Sequence, residues 1–212
     1  MTETLRSLSK HFRKYNLGCG TLLFPEFLNI GYWANLGDGN LYEDFNGTKG
    51  AYMLNFDLRN GIPAEDNSLS LVYHCHMLEH LSYVEGISFT KECFRVLSPG
   101  GRMRIVVPDL ELWINAYKDK NRFFFEEYRK VLDPSLHVTN GAIFMGMLHG
   151  HEHRCGYDFE TLCWMLEDAG FSRLERKLYG DSSIEGISKM EPQHPLRTME
   201  SLCVECMKAT SD

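Results

Sequence analysis

Three of the chain's nine histidines fall within seven residues, in the run Tyr73-His74-Cys75-His76-Met77-Leu78-Glu79-His80-Leu81. If a helix begins near His76, then His76, Glu79 and His80 project together from its first turn. Two chemistries want that arrangement. The order His-x-x-Glu-His is an inverted zinc-peptidase motif, with imidazoles as ligands and a carboxylate as base. Alternatively, an imidazole titrating near neutrality takes a proton from a hydroxyl, with no metal involved. In a plainer role, Glu79 and His80 are a hydrogen-bond network that fixes a loop. A second run, His149, His151 and His153 around Glu152, offers the zinc reading another carboxylate, and alternation in an extended segment sets its three imidazoles on one side.

The whole chain narrows the choice. Its 212 residues fit a single domain spanning 1–212, 43% hydrophobic and 24% charged. A net charge of −7 without a basic stripe argues against nucleic acid as partner. No apolar run reaches the roughly 20 residues that span a bilayer, so no membrane partner is expected. The opening MTETLRSLSKHFRKYN lacks the apolar core of a secretory leader. Seven cysteines, several in apolar segments (Cys93, Cys163, Cys203), read as reduced thiols of a cytoplasmic protein. Cys203 and Cys206 have knuckle spacing, but ESLCVECM alternates as a strand and turns them to opposite faces.

Strand-like runs occur at Tyr15–Leu17, Phe27–Ile30, Met53–Phe56, Leu69–Tyr73, Arg102–Val107, Arg173–Tyr179 and Glu200–Met207. Between the fourth and fifth lies a helix opened by the capping box Ser82/Glu85 and closed by Pro99-Gly100-Gly101. Asp109 and Asp158 are placed to cap two later helices, the second ended by Gly170. Strands alternating with helices predict an α/β fold with a mostly parallel sheet, whose ligand lies beyond the strands' carboxyl ends. The first strand runs into Gly18-Cys19-Gly20 there, where glycine lets the backbone approach a ligand.

Taken in order, Leu17-Gly18-Cys19-Gly20, the segment NFDLRNGIPAEDNSLSLVYHCHMLEHL and then FRVLSPGGRMRIVVPDLE resemble the class I S-adenosylmethionine-dependent methyltransferases, above all the small bacterial methyltransferase type 11 group. The resemblance runs through residues 14–118, and more loosely through 149–208. It implies a Rossmann-like methyltransferase fold with a C-terminal antiparallel hairpin, and S-adenosylmethionine as cofactor. Gly18, Cys19 and Gly20 would approach the methionine end, with His74 and Cys75 beside it. Asp57 would accept from the adenine amine, and the Leu58 amide would donate to a ring nitrogen.

Two departures stand out. Gly31 occupies the position where the group carries an acid for the ribose hydroxyls, leaving Asp38 or Asp44 as stand-ins. Only TLLFPEF separates Gly20 from the second strand, too short for the usual crossover helix. Methyl transfer needs an acceptor held in line, and a base helps when that acceptor is a hydroxyl. His76, Glu79 and His80 are the candidates for contacting it, with no metal. The aromatic-rich segment from Leu110 to His149 is expected as a helical lid over a small-molecule or glycan acceptor. Three readings remain: O-methylation of a small molecule or sugar, a non-catalytic cofactor-binding scaffold with an eroded site, and a zinc peptidase.

Overall fold

The computed structural model describes residues 2–191 and 193–210. Eight strands form one sheet: β1 (Lys14–Leu17), β2 (Leu28–Gly31), β3 (Leu41–Glu43), β4 (Tyr52–Asn55), β5 (Leu69–Cys75), β6 (Leu97–Pro108), β7 (Phe171–Lys177) and β8 (Ser201–Lys208). Their spatial order is β3-β4-β2-β1-β5-β6-β8-β7. The five central strands pair in parallel, while β3 joins β4, and β8 joins both β6 and β7, antiparallel. Strand order therefore reverses between β1 and β5, and a crevice opens beyond their carboxyl ends.

The helices are α1 (Glu3–Ser7), α2 (Tyr83–Val96), α3 (Leu110–Lys118), α4 (Arg122–Arg129), α5 (Asn140–His149), α6 (Phe159–Ala169), α7 (Ile187–Met190) and α8 (Pro195–Glu200). Local chemistry sets their ends. Ser82 and Glu85 form the reciprocal capping box of α2, Asp109 and Asp158 cap α3 and α6, and Gly170 closes α6 at φ +104°. Pro99-Gly100-Gly101 does not end α2, which stops at Val96. It lies among the opening residues of β6, where the pairing with β5 slips between Leu69 and Leu71.

One sheet face is covered by α2 and α6, whose Phe89, Cys93, Val96, Leu162, Met165 and Leu166 pack on the strands. The other has no crossover helix after β1. Phe24 and Phe27 of the β1–β2 connection cover Leu71 and Tyr73 instead, together with Ile184 and Ile187 from near the C-terminus. On that face Arg104 is fully buried. It makes a paired contact with Glu191 (3.0 and 2.8 Å) and reaches Glu205 at 3.3 Å and the carbonyls of Leu178 and Asp181. Cys203 and Cys206 are unpaired, with Cys206 packed on the α2–α6 face. Helices α3–α5 build a separate small core in which Trp113 meets Phe124 at 4.8 Å and Tyr128 at 4.5 Å.

Candidate active site

The histidine run does not form the first turn of a helix. Beyond β5 the chain reverses at His76, whose φ is +50°, and Leu78–His80 make a single 3-10 turn. His76 is thereby left outside the cluster that Glu79 and His80 form with His153. Its Nε2 meets Ser201 Oγ at 3.2 Å, and its Nδ1 lies 3.1 Å from Glu79 Oε1 without hydrogen-bond geometry. The spacing expected of an inverted zinc peptidase is thus not realised, because a left-handed residue and a 3-10 turn replace the α-helical register.

Burial sets the charges. Desolvation pulls the His76 pKa down to about 3, lowers that of His80 and raises that of Glu79. Glu79 is 1% exposed and its two oxygens lack hydrogen bonds, whereas its carbonyl accepts from the amides of Arg154 and Cys155. Those two bonds hang the loop after α5 on the turn and bring His153 against His80, ring centroids 4.9 Å apart. His151 and Glu152, both at positive φ, break the extended alternation expected there. Glu152 is left exposed, and His153 is the one that joins Glu79.

A cavity of about 600 Å³ opens above this turn. His76, Glu79 and His80 floor it, Trp113, Tyr128 and Met147 of α3–α5 wall one side, and His194, Arg197 and Glu200 wall the other. Tyr128 donates to Glu200, whose carbonyl accepts from the Asp109 amide (2.8 Å) and so locks α8 to the end of β6. The α8 residues were not foreseen. PLRTME carries no motif, and only the antiparallel placement of β8 returns it to this edge.

The residues expected at the cofactor take several positions. Gly18 (φ +68°) and Gly20 (φ +49°) shape the turn after β1. A Cβ on Gly18 would come within 2.0 Å of Met77 Cγ, so the glycine loop and the histidine turn touch through Met77. At Gly20 the same space is open. The Cys19 side chain is buried beside Leu23 and Met53, its amide donates to Ile30, and its carbonyl accepts from Leu22. Asp57 caps the turn Leu58–Asn60 and is chelated by Arg59 (2.6–3.0 Å), which holds its carboxyl below the usual range.

Alternation along β5 turns the His74 side chain under α2, where it is buried edge-on to Phe89 at 5.5 Å. Cys75 keeps partial exposure. Trp33 stacks over Gly31, the position of the missing acid, in a loop tied by Asn55. Asp38 is exposed in that loop. Asp44 is excluded as its stand-in because β3 runs antiparallel to β4 and carries it to the amino ends of the parallel strands, away from the crevice.

His74 also makes the fold acid-sensitive. Burial lowers its pKa to about 3, against about 6.5 in an unfolded chain, and its Nδ1 has no partner. The unfolded state therefore binds the extra proton between those values, and stability falls as pH drops from about 6.5 toward 3, by about 1.4 kcal/mol per unit at most. Urea midpoints measured against pH should show a shallower decline for His74→Phe than for the parent.

Comparison with known proteins agrees with this geometry. Residues 16–105 match the family model described as "Methyltransferase domain". The fold is the Rossmann-like methyltransferase fold. Among solved structures, a SAM-dependent methyltransferase from Thermotoga maritima aligns over 96% of this chain and 87% of its own, at 15% identity and a TM-score of 0.53. Phosphoethanolamine N-methyltransferase 2 of Haemonchus contortus, solved with S-adenosyl-L-methionine, aligns over 98% of this chain and 52% of its own, at 11% identity and 0.51. A search of curated proteins found no match. The family match supports S-adenosylmethionine as the cofactor. Among the described residues, no helix is long and apolar enough to cross a membrane.

Proposed function

We infer that this methyltransferase acts in the cytoplasm and transfers the methyl of S-adenosylmethionine to an oxygen of a small polar molecule or sugar held in the histidine-rich cavity. One observation carries this reading. The cavity floor continues directly from the switch-point strand and meets the Gly18 loop through Met77. The residues fit the cofactor at Gly20, which has positive φ and open space above it, and at the Leu58 amide beyond β4. Asp38 is the acid left for the ribose, and Trp33 is an aromatic platform over Gly31.

The sulfonium supplies a methyl already activated for displacement, so the chain's task is positioning. Trp113, Tyr128 and Met147 keep water from the acceptor, which strengthens every polar contact made there. His80 presents its imidazole to the acceptor hydroxyl. His76 and Glu79 hold the turn that aims it. The acceptor is polar, because so many imidazoles, with Arg197 and Glu200, line its chamber.

Calorimetry with S-adenosylmethionine and S-adenosylhomocysteine tests the first half, and absence of heat with both would overturn it. Methyl transfer to a panel of hydroxylated acceptors tests the second, with His80→Ala cutting turnover by about 100-fold and leaving cofactor affinity unchanged. Trp33 over Gly31 favours one alternative, a cofactor-binding scaffold without turnover. Tight binding with no transfer across the panel would select it.

A further inference from the structure

Glu79 is the residue whose burial is least explained. A carboxylate removed from water without hydrogen bonds is costly, and a nearby cation is the usual compensation. Arg197 lines the same cavity but pairs with Glu200 at 3.3 Å. What surrounds Glu79 instead is a set of lone pairs. One ligand atom each from Glu79, His80 and His153 lies within 4.8 Å of the others. The Nδ1 of His153 is bonded to the Met147 carbonyl at 2.6 Å, which fixes the tautomer and leaves Nε2 as the free lone pair. Metal-ligating imidazoles are commonly held in this way.

We propose that Glu79, His80 and His153 bind a divalent first-row transition ion, zinc foremost, at the floor of the cavity. Two imidazoles and one carboxylate suit such an ion, whereas magnesium and calcium prefer all-oxygen shells. Metal–ligand bonds of about 2.0–2.2 Å place tetrahedral donors about 3.4 Å apart, so the three side chains close in on binding. His80 and His153 are partly exposed and have room to turn. His76 stays outside the ligand set and backs the Glu79 carboxylate. The remaining coordination position faces the chamber and takes an oxygen of its occupant, so that with the ion bound His80 acts on the acceptor through the metal and not by direct contact. That last role rests on the methyl-transfer reading; the binding of the ion does not.

The test uses purified protein stripped with a chelator and the metals alone. One equivalent of cobalt(II) should produce a visible d–d band of a low-coordinate site, and zinc should displace it. His80→Ala and His153→Ala should each weaken binding by about 100-fold, beyond what loss of an orienting partner would cost. His149→Ala, at an exposed position, should not. Circular dichroism confirms that the partly exposed variants remain folded. No d–d band, or a band that survives in the double variant, overturns the site. Because cofactor is absent throughout, the result is independent of whether S-adenosylmethionine binds.

Discussion

Arg104→Met should unfold this protein more readily than any other conservative change on the second sheet face. The guanidinium is fully buried and is the shared partner of Glu191 and Glu205, themselves 3% and 1% exposed. Methionine keeps the volume and leaves two carboxylates without their cation. Removing one member of a buried pair typically costs about 3–5 kcal/mol. In a domain of this size that lowers Tm by about 10 °C. Urea melts should show the midpoint fall with the slope unchanged. Adding Glu191→Gln to Arg104→Met should recover part of the loss, since the stranded charge causes most of the damage. If the single variant melts within a degree of the parent, the network contributes nothing.

Gly18→Ala should cost both stability and cofactor binding. A left-handed φ of +68° is worth about 1–2 kcal/mol against a residue with a Cβ. That Cβ would also sit 2.0 Å from Met77 Cγ, and overpacking adds about 1–3 kcal/mol. Moving Met77 displaces the 3-10 turn that follows it, so S-adenosylmethionine affinity should fall by about tenfold or more. Gly20→Ala is the control, because it carries the strain of a positive φ but meets open space. The double variant Gly18→Ala/Met77→Ala should relieve the collision and retain the φ penalty. Equal losses for Gly18→Ala and Gly20→Ala would remove Met77 from the account.

Residue pattern made most of the sheet legible. Tyr15–Leu17, Leu69–Tyr73 and Arg102–Val107 lie inside observed strands, and the Ser82/Glu85 box opens the expected helix. These signals are local, a period of two or a cap three residues from its partner. Leu41–Glu43 escaped notice because a three-residue edge strand buries too little to show alternation. The site was legible only in outline. His-x-x-Glu-His was visible as a chemical cluster, but its shape depended on the His76 reversal, which no neighbouring glycine or proline announces. His153 could be singled out as a histidine, yet its meeting with Glu79 rests on backbone bonds made by Arg154 and Cys155. Arg197 and Glu200 arrive through strand order, which side-chain spacing does not encode.

The missing crossover helix has a consequence for how the chain assembles during synthesis. In most parallel units the cover over a pair of strands is the segment that joins them, so each unit is finished as it leaves the ribosome. Here Phe24, Phe27, Leu71 and Tyr73 wait for Ile184 and Ile187, emitted more than a hundred residues after the first two. Until then the nascent cofactor half presents a naked apolar surface, the state in which chains of this length are most prone to stick to one another or to need a chaperone. The N-terminal half of this protein is thus a ward of its own C-terminus.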